Sequence, residues 1–192
     1  GYDYLAITDH TEALTVVGGL DDDELLELAS DVKKLDEEYN IRLFTGAEAN
    51  ILENGTIDVS DEVAEQLDVV IASVHTGMDM DEYEATERLV TAIQQDGVDI
   101  LGHPSGRLLN SREAYPYDFE TVLETAKDED VADTQVKRAV EEGVKISINT
   151  DAHSSADFDY IEYGVATARR GWAEAGDVIN TFSADELDEW IS

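Results

Sequence analysis

The chain contains no cysteine, so disulfide bridges and thiolate metal ligands are both excluded. Any metal must be held by imidazole and carboxylate. Long apolar runs are missing too. The longest are strand-sized, far short of the ~20 residues a membrane helix needs, and no signal peptide is visible. The chain reads as cytosolic with no membrane partner, and Gly1-Tyr2-Asp3 reads as the continuation of a longer protein. Basic residues are scarce: 12 Lys and Arg stand against 46 Asp and Glu, a formal net charge of −34. Few side chains are therefore available to release condensed counterions from nucleic acid.

Enough remains for a proper core. A hydrophobic content of 42% over 192 residues suits one globular domain, so the acidity does not imply disorder. The acids are spread along the whole chain, on the polar faces of periodic helices, rather than gathered in a tail. Thermophile surfaces carry extra Glu, but usually with Lys beside it. Dispersed acid with little lysine fits a halophilic protein, one that works in concentrated salt, where self-repulsion is screened.

Histidine is used only four times, and every one follows an apolar run. His10 closes Tyr4 to Asp9, His75 closes Val69 to Val74, and His103 closes Val98 to Gly102. His153 follows Val144 to Ile148, with Asp151 two residues before it, separated by Ala152. Glu48 closes a fifth run, Ile41 to Ala47. Singly, each is an ordinary strand-end or turn residue. Jointly they match parallel strands whose C-terminal ends share one face, where α/β active sites form.

Between these runs lie helices. Asp21 or Asp22 caps the first, with Leu25, Leu28, Val32, Leu35 and Tyr39 as its buried stripe. Ser60 caps a short helix after the turn Glu53-Asn54-Gly55. Asp81 and Glu84 form an acidic capping box for a helix burying Ala85, Leu89 and Ile93. Asp118 opens another, with Phe119, Val122, Leu123 and Ala126 inward, and a further helix is expected from about Asp133 to Glu142. The tail holds an expected strand, Val178 to Thr181, and a last helix capped by Ser183 and Glu186. The alternation argues for parallel strands with helices outside, as a barrel or as an open doubly wound sheet. It lapses once: between Lys127 and Asp133 two helices run together where a strand is due.

Two carboxylates and four imidazoles exceed the needs of one ion. The set His10, Glu48, His75, His103, Asp151 and His153 suggests two or three divalent ions. Its nitrogen-rich donors favour Mn2+ or Zn2+, with Fe2+ or Mg2+ as further candidates. Paired ions suit hydrolysis, phosphoester cleavage first and amide or lactone hydrolysis next. Arg107 could ground a substrate phosphate, or equally be a surface arginine among many acids. Arg169-Arg170-Gly171-Trp172 could meet a nucleic acid, although packing of Trp172 against a terminal helix is the more ordinary reading.

Several stretches together carry a family resemblance: Asp3 to Thr11, Gly46-Ala47-Glu48-Ala49-Asn50-Ile51, Ile71 to His75, Ile100 to Leu109, Asn149 to Ser154, and Tyr163 to Trp172. They span nearly the whole chain. With them the sequence resembles a PHP (polymerase and histidinol phosphatase) domain, most closely the C-terminal module of bacterial and archaeal family X DNA polymerases. The resemblance implies a distorted (β/α)7 TIM-like barrel with a metal cluster at the C-terminal strand face. It implies that Glu48 bridges two ions, that His75 and His103 complete the second, that His10 and His153 bind a third, and that Asp151 serves the first. It further implies a 3′–5′ exonuclease or DNA 3′-end phosphoesterase, with DNA 3′ ends as substrate and a polymerase domain in the same parent chain. Small-molecule phosphatases of the histidinol-phosphate type are the neighbouring branch, and a metal-stabilised structural module is the non-enzyme reading. Two features of the pattern are lacking here: a first strand carrying His-x-His and a following Asp, and an internal strand with an Asn-bearing turn near Asp133. The expected fold is thus that barrel without its first strand and one internal strand, its first metal left with Glu48 and Asp151.

Overall fold

The computed structural model of the chain describes residues 2–107, 111, 113–126, 130–131 and 136–191. Five parallel strands form one sheet in the order β1-β2-β3-β4-β5, with β1 at Tyr4–His10, β2 at Arg42–Asn50, β3 at Val69–Ser73, β4 at Ile100–Gly102 and β5 at Asp130–Val131. Each strand pairs with the next in sequence. A doubly wound sheet reverses its strand order at a switch point; this one does not, and its order is compatible with a distorted α/β barrel. Among the described residues β5 is not paired with β1.

The helices sit where capping chemistry puts them. Helix α1 (Asp22–Glu38) starts at Asp21, whose side chain accepts from the Glu24 amide while Glu24 accepts from that of Asp21. The same reciprocal box, Asp81 with Glu84, opens α3 (Glu82–Ile93). Ser60 precedes α2 (Asp61–Ala64), Asp118 caps α4 (Phe119–Thr125), and α5 covers Val136–Glu142. Then come α6 (Ile161–Arg170) and α7 (Ala184–Ile191), the latter with the expected Ser183–Glu186 box. Among the described residues no helix is long and apolar enough to cross a membrane.

Among the described residues three apolar clusters hold these layers. Leu25, Ala47, Val59, Val63 and Val70 join α1 and α2 to the sheet. Ile51, Val74, Leu89, Leu101, Val122 and Leu123 join α3 and α4 to its other strands. At the opposite end, Val69 and Ile100, the first residues of β3 and β4, meet Ile179 with Leu187 and Trp190 of the tail. The tail helix therefore covers the N-terminal ends of the strands, and the C-terminal ends are left for chemistry.

Four expectations need correction. The run Val144 to Ile148 is buried at Val144 and Ile146 but is not a strand of the sheet; only Ile146 bridges, to Val178. Alternating burial reports an apolar environment, not a ladder partner. The expected strand Val178 to Thr181 is a short 3-10 turn over Ile179–Thr181, whose Asn180 side chain accepts the Ile148 amide at 2.6 Å. Where two helices were expected to run together, the two residues of β5 pair with Ile100 and Leu101 of β4. Finally, the α1 stripe stops early: Leu25, Ala29 and Val32 are buried, whereas Leu35 and Tyr39 stand exposed. Leu108 and Leu109 of the quoted motif, and the expected helix start at Asp133, lie outside the described residues.

Candidate metal centre

Strand register assembles the site. His10, the last residue of β1, pairs directly with Glu48 of β2. Asn50 pairs with Ser73, and Ser73 with Gly102. His75 and His103 follow two residues and one residue later, so all four side chains gather at the same edge of the sheet. Glu48 and Asn50, two apart on one strand, share a face. No side chain fits at position 102, where a Cβ would stand 2.2 Å from Ser73 Oγ, and this lets β4 approach β3 just before His103.

Glu48 is the hub. Its Oε1 lies 2.9 Å from His103 Nε2 and 3.2 Å from His75 Nε2, and its Oε2 lies 3.7 Å from His10 Nδ1. Ligand atoms of His10, Glu48 and His75 all fall within 4.8 Å of one another. The imidazoles form an arc: ring centroids step from His153 to His10 at 5.8 Å, to His75 at 4.9 Å and to His103 at 5.3 Å. Burial alone would raise the Glu48 carboxyl, but hydrogen bonds from His103 and His75 hold it far below the usual carboxylate range. Burial would likewise lower His103, yet the Glu48 hydrogen bond and charge leave it raised.

Asp151 and His153 lie at the rim. Their side chains are about two-thirds exposed, and neither of them, nor His103, is among the residues within mutual ligand distance. His153 Nδ1 donates to the Asp151 carbonyl at 2.9 Å, which raises its pKa and leaves Nε2 free to bind. Both His103 (φ +24°) and Asp151 (φ +49°) hold backbone conformations rare for residues with a side chain. Such strain clusters where geometry serves function. Arg107 is exposed beyond His103. Trp172 is 75% exposed, so it does not pack a terminal helix; Trp190 does that instead.

The donors fit a divalent cation. His10 Nδ1 is buried without a hydrogen-bond partner, and its 3.7 Å gap to Glu48 is too wide for a hydrogen bond. Metal–nitrogen and metal–oxygen bonds of about 2.0–2.2 Å each could span that gap with an ion off the direct line. Imidazole and carboxylate donors without sulfur suit Zn2+, Mn2+ or Fe2+.

Sequence reasoning missed the scaffold around these ligands. Arg88, 2% exposed on α3, donates to the carbonyls of Leu52 (2.9 Å), Thr76 and Gly77 (both 3.1 Å), and to that of Ile51. It ties together the segments that follow β2 and β3. Helical periodicity marked its neighbours Ala85 and Leu89 but does not predict a buried arginine.

No family model matches the chain. It is 36% identical, over its whole length, to the DNA polymerase/3′-5′ exonuclease PolX of Bacillus subtilis, of which it covers 36%. Over 73% of its length it is 30% identical to a probable phosphatase of Thermoanaerobacter sp., of which it covers 64%. A probable phosphatase of Caldanaerobacter subterraneus is 32% identical over 61% of the chain. The chain thus spans about a third of the first of these relatives and under two-thirds of the second. Over all or most of its length, then, the chain is similar to proteins named as a polymerase/exonuclease and as probable phosphatases.

Proposed function

We propose that this chain is a metal-dependent phosphoester hydrolase that trims DNA 3′ ends, one barrel-like module of a longer protein that also carries a polymerase. The observation that carries the reading is the convergence of His10, His75 and His103 on the buried Glu48 at the C-terminal strand edge. Likeness to a polymerase/exonuclease over the whole chain supports DNA as the substrate. Exposed Tyr160, Tyr163 and Trp172, on and beside the helix after the His153 loop, offer stacking faces for unpaired bases.

In this reading His10, Glu48, His75 and His103 hold the ions, with His153 and Asp151 completing the rim. Bound divalent ions, two or three of Mn2+ or Zn2+, would supply an activated water and charge neutralisation at the phosphoryl oxygens. Glu48, an ionised carboxylate with imidazoles on both oxygens, sets the charge and spacing of the ligand set. His153 keeps Nε2 available by committing Nδ1 to a carbonyl. Arg107 lies past His103, where a guanidinium could meet a substrate phosphate. The strong acidity belongs to a halophilic surface.

The likeness to probable phosphatases favours one second reading, hydrolysis of a small phosphomonoester. Single-turnover assays with Mn2+ on a 3′-labelled oligonucleotide and on histidinol phosphate separate the two. The proposal expects nucleotides released from the 3′ end and histidinol phosphate left intact. Phosphate release from histidinol phosphate alone would decide for the second reading.

A further inference from the structure

Asn50 has no place in the ligand set, yet it is fully buried beside it. Its carboxamide is locked in one orientation. Nδ2 donates to Asp58 Oδ2 and Thr11 Oγ1, each at 2.9 Å, with the Thr11 carbonyl 3.4 Å away. A carboxylate and a carbonyl only accept, so the NH2 end must face them. Asp58 is fixed in turn: Oδ1 accepts from the Thr11 hydroxyl at 2.5 Å and the Asn50 amide at 2.7 Å, and Oδ2 from the Ala13 amide at 2.9 Å.

Asn50 Oδ1 therefore points the other way, 2.6 Å from His75 Nδ1. That oxygen can only accept, so the proton of a neutral His75 belongs on Nδ1. Nε2 is left with its lone pair toward Glu48, 3.2 Å from Oε1. Two electron-rich atoms that close repel unless a cation joins them, either a proton on Nε2 or a metal ion.

We infer that Asn50 is a positioning residue, an amide relay from Asp58 and Thr11 that fixes His75 in the tautomer whose Nε2 binds a divalent ion. The inference rests on the metal-site reading of the Glu48 cluster. Metal-binding histidines commonly give their second N–H to a carboxylate or carbonyl, and loss of such partners weakens metal binding about 10–100-fold. Here a neutral amide stands between ring and carboxylate, so the negative charge of Asp58 orients His75 without touching it.

The test is Zn2+ titration of the full chain with 15N-labelled histidine, reading the ring nitrogens by NMR and the affinity by chelator competition. In the parent, His75 should keep its Nδ1 proton while Nε2 moves to a ligated shift. Asn50→Leu should bind Zn2+ about 10–100-fold more weakly and lose the single tautomer. Asp58→Asn leaves Asn50 and His75 in place but lets the amide turn over; it should show a smaller loss of the same kind, and it decides the matter if the leucine variant fails to fold. Parent-like affinity with a retained Nδ1 proton in the variants overturns the relay and leaves the metal site standing. Zn2+ bound through Nδ1 of His75 overturns the relay as well. No response at any histidine overturns the metal reading itself, and the relay with it.

Discussion

His103 meets Glu48 through a 2.9 Å contact between Nε2 and Oε1, made from a backbone with φ +24°. A conformation of that kind costs roughly 1–3 kcal/mol and persists only where its surroundings enforce it. The contact makes the metal-free fold sensitive to pH. Glu48 is held below its ordinary 4.5, so its contribution is complete above that value and is lost as pH falls through the depressed pKa. His103 is raised above its ordinary 6.5, so its contribution is complete below that value and is lost as pH rises through the elevated pKa. Both act together between pH 4.5 and 6.5. In chelator-treated protein, the melting-temperature gap between parent and Glu48→Gln should be widest in that window and narrow at higher pH. A gap independent of pH would contradict the pairing.

Arg88 is expected to matter as much as any core leucine. Truncation to Ala strands the buried Ile51 carbonyl and the part-buried carbonyls of Leu52, Thr76 and Gly77, on the segments after β2 and β3. Each carbonyl left unsatisfied costs about 1–3 kcal/mol, and at about 2–4 °C per kcal/mol for a chain of this size their loss is a clear fall in Tm. Lysine should recover only part, since it lacks the planar fork. An unchanged Tm in Arg88→Ala would refute the tie.

Asp151 separates fold from chemistry. It is exposed and left-handed, φ +49°, a conformation that Asn also tolerates. Asp151→Asn should change stability by less than about 0.5 kcal/mol while lowering Mn2+-supported turnover about tenfold or more, since it removes charge from the cluster. Equal turnover at saturating Mn2+ would reduce Asp151 to a turn residue.

Salt should help this protein. Its net charge is −34, and ion pairs such as Lys34–Asp31 and Lys137–Glu141 lie on the surface. Raising KCl from ~0.1 to ~1 M shortens the Debye length from about 10 to 3 Å and removes most long-range repulsion. Melting temperature and turnover on DNA should both rise. A steady fall in both would mean that the acids answer to something other than salt, such as a basic partner.

The sequence was legible where one side chain's position reports one physical demand. Three of the histidines, His10, His75 and His103, and Glu48 come together after their apolar runs, because strand ends converge whatever the details of pairing. Asp81–Glu84 and Ser183–Glu186 located helix starts, because a cap acts within one turn. Val144 to Ile148 and Val178 to Thr181 were misread because burial and strand pairing leave the same apolar trace. Two-residue β5 was too short to leave any trace. Asp58 and Arg88 act across the chain, on Asn50 and on the carbonyls after β2 and β3, and no local pattern announces such partners.

On the proposed reading, the Glu48 cluster binds the metal that cleaves phosphoesters. Metal-stripped parent and Glu48→Gln, each given a 3′-labelled oligonucleotide with and without Mn2+, test it most directly. Nucleotides should be released from the 3′ end by the parent only with Mn2+, and by the variant at a rate at least about a hundredfold lower. Equal cleavage by parent and variant, or cleavage by the stripped parent in chelator, would contradict it.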